Sequence, residues 1–339
     1  MWRDLSIFVG NPDLEYISSK QWLVGFRLLY RFPKAITRRE NRMKNSYNWI
    51  AKEIASLDPH RDYERIWQLM TCYYFGDFMM NFLYTNQFPY YIMTPHVATA
   101  VSRNGAGKLM KQKDKREADT ASHFWSWFEY GPSHPITQES IKRVNAAHAG
   151  VAKRVGPGLY THDYDYTYTL CMLAADYHRL RVRCGLKGYT ENEKIASHLF
   201  WQEISKLFRR EGEQPATEFD QLITDFPDNW DGMLAYLENH EAKHWPYTED
   251  GAICAEALLQ QFEQRWFPTP FRFIGRSLML ALIGEPPHRV HKLPYPNALV
   301  TKLMEFTFSI IMFTKEKILP DPKITTPEKH RRALQPVAT

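Results

Sequence analysis

The sequence predicts an all-α protein built as a single large helical domain, and three observations carry that prediction. Apolar residues recur at three- and four-residue spacing through most of the 339-residue chain. No series of alternating apolar and polar segments interrupts them, as a sheet would require. Helix punctuation is also present: Thr190-Glu191-Asn192-Glu193 reads as a capping box, and Gly185 stands where the preceding helix should stop.

Taken in order, the chain divides into an N-terminal helical segment (1–58), a central helical domain (59–290) and a C-terminal helix with its tail (291–339). Residues 1–58 read as two short helices separated by Pro33. Residues 63–84 read as one long helix, because Ile66, Leu69, Met70, Tyr73, Tyr74, Asp77, Met80 and Leu83 follow a 3.6-residue period. Pro89 and Pro95 end it, and a short helix follows at 97–102. Asn104-Gly105-Ala106-Gly107-Lys108 is a loop without the spacing of a phosphate cradle. Helices are then expected at 116–127, 136–154, 163–184, 191–208, 227–239, 252–266, 273–283 and 298–318. Prolines 286, 287, 294 and 296 mark a turn-rich stretch, and the residues from Pro320 onward read as a loose tail.

Composition narrows the function classes. The chain is 44% hydrophobic and 14% aromatic, enough for a sizeable core with room for a flat or apolar ligand. The net charge of +5 is dispersed, and the basic run at residues 37–42 reads as a solvated face; no nucleic-acid module is present. Cys72, Cys171, Cys184 and Cys254 are far apart, which suits reduced thiols in a cytoplasmic protein. Charged residues within the first thirty positions argue against a secretory signal. No apolar run approaches the roughly twenty residues that span a bilayer. The stretch Trp22 through Phe32 reads as a buried helix, with peripheral membrane contact as the alternative.

Candidate chemistry concentrates between Lys115 and Lys153. Arg116 and Thr120 are four apart and share a helix face. On the next helix Ile141, Val144, His148 and Val151 form one apolar face, with Ala147, Ala149, Gly150 and Ala152 beside the histidine. A buried imidazole needs a partner, and small neighbours let a flat ligand approach, so an axial haem ligand is one reading. A core histidine bonded to a carbonyl is the other.

This R-x-x-x-T pair, followed about thirty residues later by a histidine, resembles the haem-dependent oxygenases that include the bacterial latex-clearing (rubber) oxygenases and the fungal oxygenase of the mycophenolic acid pathway. Residues 63–89, ending in Thr85-Asn86-Gln87-Phe88-Pro89, and residues 166–208, with Gly185, Thr190-x-x-Glu193 and Phe200-Trp201, extend the likeness to roughly residues 60–290. The resemblance implies haem b, His148 as proximal iron ligand, and Arg116 and Thr120 beside the haem. It further implies O2-dependent oxidation of a small apolar, unsaturated substrate such as an isoprenoid, with no obligate protein partner. Two positions depart from the pattern. Asp119 stands where rubber oxygenases carry a lysine, and no glutamate occurs near Ala100, where they place a base. A haem- or lipid-carrying protein without catalysis is therefore an alternative.

A motif of another class is His240-Glu241-Ala242-Lys243-His244, a literal H-E-x-x-H. On a continuous helix it would bind zinc, with Glu241 as general base and Glu256 or Glu263 as third ligand. Pro246 points instead to a helix ending here, with both histidines on a solvated surface. His178 and His198 read as bonded core or boundary residues and as second candidates for the iron ligand. His123 is placed to approach the distal side, and His134 to start a helix.

Overall fold

The computed structural model describes residues 47–212 and 219–334. The expected helices before residue 47, the Trp22–Phe32 stretch and the basic run at 37–42 lie outside them. The described residues form fifteen α-helices and no strand; the one bridge pairs Arg210 with Gln221. The all-α expectation holds.

The helices are α1 (Trp49–Ser56), α2 (Tyr63–Thr71), α3 (Asp77–Tyr91), α4 (Pro95–Ser102), α5 (Lys108–Lys111), α6 (Lys113–Tyr130), α7 (Pro135–Val155) and α8 (Asp163–Arg183). They continue as α9 (Glu191–Ser205), α10 (Trp230–Glu241), α11 (Glu249–Trp266), α12 (Arg272–Leu282), α13 (Glu285–His291), α14 (Ala298–Phe313) and α15 (Thr326–Ala333). One core runs from Trp49 and Ile50 to Phe308 and Met312. Its centre is aromatic: Trp67 stacks on Phe200 at 5.1 Å and meets Trp201 edge-on at 5.6 Å.

Local signals act as their chemistry dictates. Thr190 and Glu193 form the complete capping box of α9. At the end of α8, Leu186 donates its N–H to the Arg181 carbonyl and Gly185 donates to Val182, a Schellman closure with Gly185 at φ +75°.

Three expectations need correction. The helix expected over residues 63–84 is two, α2 and α3, broken at 72–76. Its period looked continuous because Ile66, Leu69 and Met70 are buried in α2 and Met80 and Leu83 in α3, with Tyr73 buried in the break between them. Pro89 does not end α3, which runs on to Tyr91; so close to the terminus the lost N–H removes a single turn bond. Prolines 286 and 287 do not make a turn but open α13, where a missing N–H costs nothing.

The tail is also packed rather than loose. Asp321 accepts the Ile50 N–H at 2.9 Å, supplying an acceptor to the uncapped first turn of α1, and takes the Tyr74 hydroxyl at 2.8 Å. Thr326 donates its N–H to the Cys72 carbonyl and its hydroxyl to the Phe75 carbonyl at 2.6 Å, satisfying groups freed by the α2–α3 break. Arg331 grips Glu129 with two bonds of 2.6 and 2.7 Å.

Candidate functional site

Helices α6 and α7 are an antiparallel pair, and their connection fixes how their side chains meet. Gly131 ends α6 at φ +76°, where a Cβ would come within 2.5 Å of the Glu64 side chain, so only glycine fits. Glu64 then accepts the Ser133 N–H at 2.9 Å and its hydroxyl at 3.0 Å. His134 caps α7, its Nδ1 accepting the Ile136 N–H at 3.1 Å, with Pro135 in the first turn. The helix start read for His134 is what the structure has.

On α6, the Arg116 guanidinium donates to the Thr120 hydroxyl oxygen, and that hydroxyl donates to the Arg116 carbonyl at 2.9 Å. The pair therefore shares a face. The Arg116 guanidinium also lies 5.3 Å from the centre of the Phe88 ring on α3, and it makes no ion pair among the described residues. Next to it in sequence, Glu117 turns the other way, buried against Arg265 at 2.6 Å; burial pushes its carboxyl up to about 7.

Opposite, on α7, Ile141 and Val151 are buried and Val144 and His148 half-buried on the expected face. Tyr160 lies parallel to the His148 ring at 4.7 Å, and Tyr166 of α8 meets it edge-on at 6.1 Å. The His148 Nδ1 is buried without a hydrogen-bond partner. Burial, then the charge of Arg116 and of His123, lowers this imidazole to about 4, so it is neutral at physiological pH. The structure thus brings Arg116, Thr120 and His148 onto facing helices.

The loop behind His148 holds Tyr160 in place. Glu211, itself buried, accepts the Gly158 N–H at 3.0 Å and the Tyr160 N–H at 3.3 Å, and its own N–H donates to the Tyr160 carbonyl. The stack covers one face of the imidazole, and Nδ1, in the ring plane, is itself buried. Several neighbours that sequence reasoning missed share the lack of a partner: the Tyr84 and Tyr166 hydroxyls and Arg103 Nε are buried and unbonded. Arg103 and Arg116 both place positive charge near the Tyr160 hydroxyl. No local pattern marks these residues, since they converge from four different elements.

A haem implies a nitrogen donor and cationic partners for its propionates. An orphaned neutral imidazole beside unpaired Arg116 and Arg103 fits that donor set. The cavity of about 320 Å3 lined by Asn86, Tyr90, Asp176, Arg179 and Arg183 and the cavity of about 20 Å3 lined by Trp67, Leu83, Tyr84 and Phe124 both exclude Arg116, Thr120 and His148, so neither supplies haem-sized space at this cluster. The aromatic residues of α6 are mainly packing: Phe124 stacks on Phe128, and Trp127 donates to Ser140 at 2.9 Å. His123 also meets Ser140, at 2.7 Å. Asp119 is engaged in ion pairs, with Lys108 and, at 3.1 Å, with Lys115. Ala100 is buried in a small apolar cluster with Val151 and Leu159.

The remaining histidines sort by their partners. His198 Nε2 meets the Pro227 carbonyl at 2.8 Å, and His178 Nδ1 accepts the Tyr189 N–H at 2.9 Å, so both are satisfied as structural residues. The H-E-x-x-H motif does not lie on one helix. α10 ends at Glu241, leaving His244 exposed beyond it. Glu241 is engaged by Arg179 through two bonds of 2.7 Å, and Glu256 by Arg276 at 2.9 and 2.6 Å. The surface reading of His240 is corrected: it is only 3% exposed, stacked on Tyr168 at 3.9 Å, with both ring nitrogens unbonded.

Burial lowers His240 to about 3, and the unfolded chain binds that proton near the ordinary value of about 6.5. The folded protein therefore keeps its full stability above pH ~6.5 and loses it as the pH falls toward 3, by about 2 kcal/mol for this residue at pH ~5. His240→Phe, which retains the ring stack, is expected to flatten the acid limb of urea-denaturation midpoints measured from neutral pH downward. An unchanged slope would mean that His240 is not buried as the neutral form.

No family model and no curated protein matches the chain.

Proposed function

We propose that this chain is a b-type haem oxygenase of the rubber-oxygenase and mycophenolic-pathway kind, acting with O2 on a small apolar, unsaturated substrate. The observation that carries the reading is the buried, unbonded Nδ1 of His148 on α7, packed against the helix α6 that carries Arg116, whose guanidinium makes no ion pair among the described residues. Family-like sequence order supports it: the arginine–threonine pair, the histidine helix, and the α8–α9 pair with its Gly185 stop and Thr190 cap.

When bound, haem supplies the iron that activates O2. His148, held neutral by burial, has its lone pair available for that iron without first losing a proton. Arg116 is fixed by Thr120 and the Phe88 ring, so its planar fork is preset for a carboxylate. Arg103 stands near enough to share the anion. Thr120 orients Arg116 and spends its own proton on the helix backbone. Tyr160 and Tyr166 shield the imidazole from water.

The paired Asp119 and the buried Ala100 favour one second reading, a haem carrier without oxygenase turnover: neither position offers the side chain that the rubber oxygenases place there. Oxygen consumption by the haem-loaded protein with unsaturated isoprenoid substrates separates the two.

Arg116→Ala is expected to weaken haem binding at least about tenfold, as losing a charge-assisted hydrogen bond of ~1.5–3 kcal/mol requires. Stability should change by under about 1 kcal/mol, since no ion pair is broken. Arg116→Lys should restore only part of the binding. Haem titration followed by absorbance reads both, and wild-type affinity in Arg116→Ala would show that the match to the family pattern is accidental.

A further inference from the structure

Helix α14 is apolar on nearly every side, yet only Phe308 and Met312 of it are buried. Leu299, Leu303, Phe306, Ile310 and Phe313 recur at four- and three-residue steps and form one exposed stripe. Leu299 is 78% exposed and Phe306 64%. Phe273, on the helix α12 that packs against α14, adds another side chain at 64% exposure, and Ile318 and Leu319 extend the stripe past the helix end. A contiguous apolar face of this kind on a folded protein marks a contact surface.

The charges around the stripe that form no ion pair among the described residues have one sign. Lys302 and Lys317 are exposed beside it and Arg272 is half-buried, and neither Lys317 nor Arg272 forms an ion pair among the described residues. The two acids of this region are neutralised: Glu305 by Lys302 at 2.8 Å and Glu316 by Arg181. A second copy docked on the same face would set these cations against themselves. The chain's own apolar stretch, residues 22–32, brings only Arg27 and Arg31 and would do the same. The complementary surface is apolar within and negative at its edge.

We propose that α14, with Phe273 beside it, docks the protein on an anionic lipid bilayer. The helix lies in the plane of the interface, its stripe entering the acyl boundary while Lys317 and Arg272, the cations here without an ion pair among the described residues, meet the headgroup phosphates. Attachment is peripheral: no helix among the described residues is long and apolar enough to cross a membrane. The proposal is independent of haem.

The test is co-sedimentation of the full-length protein with phosphatidylcholine vesicles, with and without phosphatidylserine, at low and high salt. Partitioning should favour the anionic vesicles at least about tenfold and weaken with salt, because each basic residue near such a surface contributes about fivefold. Leu303→Asp combined with Phe306→Asp, both at exposed positions, should abolish it while leaving the helical circular dichroism intact. Lys317→Glu should weaken it selectively on anionic vesicles. If the double variant loses helicity, Leu299→Ser replaces it in the same assay. Absence of vesicle binding overturns the proposal. So does binding that the α14 substitutions leave unchanged, which would place the contact elsewhere, for example in residues 22–32. A concentration-dependent dimer that these substitutions dissolve, without vesicle partitioning, would assign the face to a second copy instead.

Discussion

His148→Ala, purified from cells supplied with haem, is expected to retain less than a tenth of the haem bound by the unsubstituted protein. Among the described residues around Arg116, this imidazole is the one nitrogen donor that is both neutral and unbonded. His123 is tied to Ser140, and His178 and His198 have backbone partners on other elements. Removing the ring opens a space beside Tyr160 but breaks no hydrogen bond, so the fold should survive with a loss of about 1–3 kcal/mol. Circular dichroism and a urea titration on the same preparation separate lost ligation from lost folding. Full haem occupancy in a folded His148→Ala protein would remove His148 from the site and direct attention to His240, the other buried and unbonded imidazole.

Glu241→Ala carries the largest expected cost in stability, about 3 kcal/mol or more. Its carboxylate is buried and held by both arms of Arg179, with the Tyr168 hydroxyl at 3.3 Å. Deleting the acid leaves a largely desolvated guanidinium without its partner, the situation in which broken buried pairs cost ~3–5 kcal/mol. The Arg179 side chain is 29% exposed, so water relieves part of that, which favours the lower figure. The double variant Glu241→Ala/Arg179→Met should recover much of the loss. Chemical denaturation of the four proteins gives the coupling energy, and a value near zero would contradict a structural role for Glu241. The same series bears on the zinc reading of His240-Glu241-x-x-His244: a structural Glu241 changes stability and leaves metal content alone.

What the sequence made legible was whatever is encoded within a turn or two. Gly185 needed only its own φ, and the Thr190–Glu193 box only three residues, so both were readable directly. The arginine–threonine pair was readable because four residues fix a shared helix face. The break between α2 and α3 was not, because its stabilising partner, Thr326, lies about two hundred and fifty residues away in the chain. For the same reason the tail looked loose: Asp321 and Thr326 satisfy backbone groups of α1 and of the α2–α3 break, far away in the chain, while Thr325 caps α15 itself. His240 misled for the opposite reason. Its neighbours in sequence, Glu238, Asn239 and Lys243, are polar, while its neighbours in space are Tyr164, Tyr168 and Trp245. The arginines and phenols around His148 come from α3, α6, α8 and two loops, a convergence that no single segment announces.

A haem held through His148 is open to a single measurement, the absorption spectrum of the full-length protein titrated with haem, oxidised and then reduced. A haem held this way should give a saturable Soret band at one haem per chain that shifts on reduction. A titration that yields only the spectrum of free haem would contradict it.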